Sequence, residues 1–353
     1  MSRLPVIASS LPSAGGLPPG SASVGPEGMV DPWGRRIVYL RVSVTDRCNL
    51  RCVYCMPEEG LDWIPHEKIL TYEEIARVVR VMAAAGLKRV RLTGGEPTVR
   101  ADLEALVSQI AAVSGIEDIA LTTNGLKLRR LAKPLVEAGL SRVNVSLDTL
   151  DAKRFAEMTR GGDVRRVLDG IDAVLELGLA KPTKINAVVV EGVNDHDAVP
   201  LVRHFADRGA RVVVRFIEYM PFTEGWSAGY VPLARVREDL ERELGIVPGA
   251  RVDGSGPAEY WSVPGTGVSV GFIHPVSEHF CGACNRVRLT ATGEIRPCLG
   301  HIGSVSLVET LRGGGDDGAL RAKIAEALSG KPERHLFAED PGEAKGVMTA
   351  IGG

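Results

Sequence analysis

Between Ile37 and Ile217, short runs rich in β-branched residues alternate six times with amphipathic segments, which restricts the chain to an α/β fold built on a parallel sheet. The pattern predicts strands over 37–44, 89–92, 118–122, 142–147, 183–190 and 211–217. Helices begin near Thr71, Asp102, Leu128, Asp163, Asp195 and Leu233. Thr71 with Glu74 three residues on forms a capping box, and Gly86 closes that helix. Periodicity does not distinguish an open sheet from a barrel. In either form, ligands bind at the C-terminal ends of the strands. Those ends lead into Thr45-Asp46-Arg47-Cys48, Thr93-Gly94-Gly95-Glu96-Pro97, Thr122-Thr123-Asn124-Gly125, Ser146-Leu147-Asp148 and Glu218-Tyr219-Met220-Pro221. Each alone is equally compatible with turn and cap chemistry.

The pattern changes after Gly245. Gly- and Pro-rich connections link short strands around 260–263 and 268–273, a Gly- and Asp-rich loop spans 313–318, and a helix covers 319–328 with Gly330 ending it. This gives three regions: 1–30, poor in charge and rich in Pro, Gly and Ser, a disordered extension; 31–245, the βα region; and 246–353, a C-terminal domain. The hydrophobic content of 44% is ample for a core, and 42 basic against 44 acidic residues exclude the charge footprint of a general nucleic-acid binder. No apolar run is long enough to span a bilayer and no signal peptide is legible, so the expectation is a soluble cytoplasmic protein with reduced thiols.

The six cysteines fall into two groups of three, Cys48-x3-Cys52-x2-Cys55 and Cys281-x2-Cys284-x13-Cys298. A 4Fe–4S cluster that only carries electrons usually has four thiolates, so three predict an iron open to an exogenous ligand. Zinc with His274, His279 or His301 as fourth ligand is the competing reading for the second group. Disulfides would leave an odd thiol in each group. Arg41, Arg91 and Lys184 interrupt apolar strands, and Arg286 and Arg288 alternate just past Cys284. Buried cations need partners, which could be carboxylates at the domain seam or the phosphates of a bound anion.

The first cysteine spacing, followed by Gly94-Gly95-Glu96-Pro97 after the second strand, resembles the radical S-adenosylmethionine superfamily. Over nearly all of the chain beyond residue 30, the chain is similar to the GTP 3′,8-cyclase family of molybdenum cofactor biosynthesis. The segments Leu40 to Asn49, Arg91 to Thr98 and Phe280 to Thr290, and the terminal Ile351-Gly352-Gly353, carry this likeness. The preceding Met348-Thr349-Ala350 departs from the more polar Ser-Gln pair expected there.

The resemblance implies a partial (β/α)6 TIM-like barrel closed by a C-terminal domain that carries a second iron–sulfur cluster. It implies two 4Fe–4S clusters, one on Cys48, Cys52 and Cys55 and one on Cys281, Cys284 and Cys298. S-adenosylmethionine would chelate the open iron of the first and meet Tyr54, Gly95, Ser146 and Met220. GTP would lie between the clusters against Arg41, Arg91, Thr122, Lys184, Arg286, Val287 and Arg288. The implied reaction is cyclisation of GTP to (8S)-3′,8-cyclo-7,8-dihydroguanosine 5′-triphosphate, by abstraction of the ribose 3′ hydrogen and attack on guanine C8. Arg286 and Arg288, with the inserted tail Gly352 and Gly353, are the implied catalytic set. A homodimer is implied, as are an external electron donor and transfer of product to the cyclic pyranopterin monophosphate synthase. Membrane and nucleic acid are not expected partners. The alternatives are another radical S-adenosylmethionine enzyme with an auxiliary cluster, against which Arg286-x-Arg288 and the Gly-Gly end argue, or a non-catalytic iron–sulfur protein.

Overall fold

The structure, a computed structural model, describes residues 20, 22–208, 211–220, 222, 229–252, 256–301, 303–335 and 337. Gly352 and Gly353 lie outside the described residues, as do positions 1–19 of the expected N-terminal extension. Positions 23–30 correct that expectation. Ser23–Gly25 (β1) and Gly28–Val30 (β2) pair as an antiparallel hairpin, with Met29 buried. A Gly- and Pro-rich composition hid a hairpin that is held by buried Met29, by partly buried Val24 and by packing of β1 on the last helix.

The βα region follows the predicted alternation. In order come Tyr39–Ser43 (β3), Tyr72–Ala83 (α1), Arg89–Thr93 (β4), Leu103–Ala111 (α2), Asp118–Thr123 (β5), Leu128–Glu137 (α3) and Arg142–Ser146 (β6). Then come Ala152–Thr159 (α4), Val164–Glu176 (α5), Thr183–Val189 (β7), Ala198–Ala206 (α6), Val212–Glu218 (β8) and Leu233–Leu244 (α7). Helix α4 was not foreseen. It is eight residues long, buries Phe155, Met158 and Thr159, and is started by Asp151, whose side chain accepts from the Arg154 N–H. The capping box at α1 is present, with the Thr71 hydroxyl accepting from Glu74 N at 3.2 Å and the Glu74 carboxylate accepting from Thr71 N at 2.7 Å.

The C-terminal region adds Val247–Pro248 (β9), Glu259–Ser262 (β10), Ser269–Ile273 (β11), Arg286–Leu289 (β12), Glu294–Arg296 (β13) and Val305–Ser306 (β14). Helices Val308–Arg312 (α8) and Asp317–Ser329 (α9) follow. Strands β3 to β8 lie side by side in chain order, all parallel. The C-terminal region extends this sheet at both edges, with β12 parallel to β3 and β11 parallel to β8. The result is one 12-stranded sheet of order β14-β13-β12-β3-β4-β5-β6-β7-β8-β11-β10-β9.

Strand alternation sorts the two faces. Leu40, Val42, Val90, Leu92, Leu121, Val143, Val145, Ile185, Val212 and Val214 belong to the apolar core, which also takes in residues of the helices. The positions between them include Arg41, Arg91, Thr122, Ser146, Asn186 and Arg215, which line a cavity on the other face. Deeper along the strands on that face, Arg142 is ion-paired with Asp118, and Lys181 Nζ reaches the same carboxylate at 2.7 Å.

Candidate functional site

One open cavity is bordered by both cysteine groups. The first group sits on the loop after β3, and three devices fix it. The loop turns on itself through Cys55 N–H and Met56 N–H bonds to the Cys52 carbonyl, at 2.9 and 3.1 Å. The end of α4 clasps it: Arg51 N and Val53 N donate to the Thr159 and Met158 carbonyls, and Arg160 donates to the Arg51 and Met56 carbonyls. The turn after β4 packs beneath it, with Gly95 N donating to Thr45 O and Glu96 N to Arg47 O, both at 2.8 Å. A Cβ on Gly95 would fall on the carbonyl oxygens of Asp46 and Arg47, so only glycine allows this approach.

Two buried carboxylates complete this side. Glu96 accepts from Thr98 N and Oγ1, Thr123 Oγ1 and Asn124 N at 2.5 to 3.0 Å, which ties the turns after β4 and β5 together. Asp148 accepts from the Tyr54 hydroxyl at 2.7 Å and from Val188 N at 2.8 Å. Burial pushes the Asp148 carboxyl up to about 6 and also raises Glu96. Burial raises the Cys48 thiol, and it raises Cys52 well above the ordinary range with help from Cys55 and Asp148.

In the second group, burial raises the Cys281 thiol, but Cys284 has cationic surroundings. Cys281 lies in a single 3-10 turn over 281–283, Cys284 precedes β12 with Asn285 between them, and Cys298 directly follows Arg296-Pro297 at the end of β13. Lys331, only 3% exposed, donates to Cys284 Sγ at 3.6 Å, Arg286 O at 2.9 Å and Pro297 O at 2.6 Å. Burial would raise the Cys284 thiol, but Lys331, Arg286 and Arg288 bring it down to about 7. Of the histidines considered for zinc, His274 Nδ1 lies 3.6 Å from Glu218, and His301 Nδ1 accepts from Gly303 N at 2.9 Å.

Between the groups, Arg41, Arg91, Arg286 and Arg288 border the cavity. Register places Arg288, Arg41 and Arg91 side by side on β12, β3 and β4. Burial pulls Arg41 well below the usual guanidinium range, as do the charges of Arg288 and Arg91; burial and Arg286 take Arg288 to about 10. Among the described residues no carboxylate pairs with these four. The Nε atoms of Arg41, Arg91 and Arg288 and the Thr122 hydroxyl are buried without a hydrogen-bond partner. The carboxylates on the cavity wall, Glu96 and Asp148, are committed elsewhere, so an anion from outside is what this belt is built to receive.

The cavity wall also brings together Tyr54, Gly95, Thr122, Ser146 and Met220. Two predicted contacts are not on it. Val287 points into the apolar core, because its neighbours Arg286 and Arg288 take the cavity side of β12. Lys184 is buried one pleat deeper than Asn186 on β7, its Nζ 5.7 Å from the centre of the Tyr260 ring. Sequence reasoning assigned no role to Arg215, although it breaks an apolar strand as Arg41 does. It reaches the Asn186 and Asn144 amide oxygens at 2.6 and 3.1 Å, and burial takes it to about 10. Arg160 and Lys331 were missed because nothing local marks them.

Residues 42–205 match the Radical SAM superfamily, and residues 212–337 match Molybdenum Cofactor Synthesis C. A GTP 3′,8-cyclase of Pelotomaculum thermopropionicum is 49% identical over 92% of this chain and 100% of its own length. The chain belongs to the GTP 3′,8-cyclase family. A GTP 3′,8-cyclase of Listeria monocytogenes is 44% identical over 87% of this chain and 92% of its own. Among solved structures, Streptococcus suis SuiB bound to S-adenosylmethionine superposes with a TM-score of 0.59 at 18% identity, covering 91% of this chain and 76% of SuiB. At that identity the likeness speaks to fold alone.

Proposed function

We propose that this chain cyclises GTP to (8S)-3′,8-cyclo-7,8-dihydroguanosine 5′-triphosphate, the first step of molybdenum cofactor biosynthesis. The observation that carries the reading is the belt of arginines that no carboxylate among the described residues pairs with, set on one cavity between two groups of three thiols. When bound, a 4Fe–4S cluster with S-adenosylmethionine supplies the 5′-deoxyadenosyl radical that takes the ribose 3′ hydrogen.

Cys48, Cys52 and Cys55 would hold that cluster, on a loop that α4 and Gly95 keep in place. Tyr54, Gly95, Ser146 and Met220 would border S-adenosylmethionine. The buried carboxylates of Glu96 and Asp148 hold this wall rigid, so the two reacting molecules meet in a fixed geometry. Cys281, Cys284 and Cys298 would hold a second cluster with an open position toward GTP. Arg41, Arg91, Arg286 and Arg288 would bind the triphosphate, with Thr122 donating a hydrogen bond. Lys184 adds positive charge from beneath the belt, and Val287 serves through its backbone. Gly352 and Gly353 would enter the cavity to orient one of the arginines.

We assign radical generation to the 31–245 region and the second cluster to 246–353, with GTP bound by residues of both. A homodimer, an external electron donor, a cytoplasmic setting and delivery of product to the cyclic pyranopterin monophosphate synthase belong to the same reading and rest on the family. Among the described residues no helix is long and apolar enough to cross a membrane.

The test is anaerobic reconstitution with iron and sulfide, followed by S-adenosylmethionine, reductant and GTP, with products read by mass spectrometry. The cyclised triphosphate and 5′-deoxyadenosine are expected together. Formation of 5′-deoxyadenosine with GTP untouched would contradict the substrate and favour a different radical enzyme with an auxiliary cluster.

A further inference from the structure

Lys331 has an unusual set of partners for a buried ammonium. Its three N–H donors meet three acceptors: Cys284 Sγ, Arg286 O and Pro297 O. The two carbonyls belong to segments next to Cys284 and Cys298, so one side chain ties together the two strands that bring those cysteines to the cavity. Its own position is also fixed. Trp33 Nε1 donates to Lys331 O at 3.0 Å. Arg35, paired with Asp31, donates to Pro332 O at 2.7 Å and to Cys281 O at 2.9 Å. The strap from Asp31 to Arg35 thereby sets Lys331 against Cys284 and steadies Cys281 as well.

Among the three partners only the sulfur can carry negative charge, and the carbonyls only solvate the ammonium. A buried cation needs compensating charge nearby, so the site favours extra electron density on Cys284. Hydrogen bonds to cysteine sulfurs and net local charge are among the levers that set cluster potentials. We infer that Lys331 is a positioning residue that makes the cluster at Cys281, Cys284 and Cys298 easier to reduce, through a charged N–H···S contact to Cys284. This inference rests on the second-cluster reading above.

The test uses the full chain carrying Cys48→Ala, Cys52→Ala and Cys55→Ala, reconstituted so that only the second site can hold iron. Iron content is measured first, and the midpoint potential is then read by electron paramagnetic resonance during anaerobic titration. With Lys331→Met the reduction equilibrium is expected to fall about tenfold, roughly 59 mV for one electron. Lys331→Arg, which keeps the charge and donors, should stay within about twofold of the parent. Lys331→Gln, a neutral donor, should fall between the two.

If Lys331→Met does not retain iron, Lys331→Gln decides: a lowered midpoint supports the inference. A midpoint equal to the parent in Lys331→Gln, and in Lys331→Met where it retains iron, overturns it and leaves Lys331 a structural brace. A parent protein with no iron at this site overturns the second-cluster reading itself, and the iron count alone separates that failure from the other.

Discussion

The two cysteine groups face one cavity, and they differ at one thiol: Cys284 sits in a setting opposite to that of Cys48 and Cys52, whereas burial raises Cys281 as it raises those two. Around the first, burial and the carboxylates of Asp148 and Glu96 hold the thiols up. Around the second, Lys331 and two arginines overcome burial and bring Cys284 down to about 7. Negative surroundings make an electron easier to give away, and positive surroundings make an anion easier to hold. The contrast supports the proposed division, with electron delivery at the first group and capture of a polyanion beside the second. It also shows that three thiols in a row do not define a site's chemistry; residues contributed by other segments do.

The largest expected effect comes from breaking the first side alone. Gly95→Ala should eliminate 5′-deoxyadenosine formation, because its Cβ collides with the Asp46 and Arg47 carbonyls and displaces the loop that bears Cys48. Iron bound at the second group should persist. Detection of 5′-deoxyadenosine near the parent rate in this variant would mean that the turn after β4 does not set the cysteine loop.

On the other side, Arg41→Ala, Arg91→Ala and Arg288→Ala should each weaken GTP binding by about 1.5 to 3 kcal/mol, the range for hydrogen bonds to charged groups. S-adenosylmethionine binding should change far less, and calorimetry with each ligand checks both. Equal losses would erase the division between the two sides. Lys184→Ala should weaken GTP binding by less than any of these three, since it acts from beneath the cavity wall.

Thr122→Val is the smallest and most selective change. The hydroxyl is buried without a partner, so its removal should leave the melting temperature of the ligand-free protein unchanged or slightly raised. GTP binding should weaken by about 1 kcal/mol. A drop in melting temperature with unaltered GTP affinity would make the hydroxyl a structural group.

Much of this was legible in the chain. Period-2 alternation placed β3 to β8 within a few residues, because one face of each strand needs apolar packing and the other does not. The same alternation flagged Arg41 and Arg91, and applied evenly it would have flagged Arg215. Strand exits located Gly95, Thr122, Ser146 and Met220, because ligand sites in parallel sheets collect there. The family resemblance, not the strand pattern, put Val287 among the substrate contacts; its register between alternating arginines turns its side chain into the core.

Other residues depend on distant packing. Lys331 follows Cys284 by 47 positions and meets it only because α9 returns to the sheet. Arg160 reaches the first cysteine loop across 104 positions from Met56, from a helix too short to announce itself. The hairpin at 23–30 was obscured by a composition that reads as disorder when averaged, although Met29 and Val24 seat it on the core.

The division of labour is tested most directly by comparing Cys52→Ala with Cys284→Ala, measuring 5′-deoxyadenosine formation and GTP binding in both. The account expects Cys52→Ala to lose 5′-deoxyadenosine and keep GTP binding, while Cys284→Ala keeps reductive cleavage of S-adenosylmethionine and loses GTP binding and cyclisation. Parallel loss of both activities in both variants would contradict it.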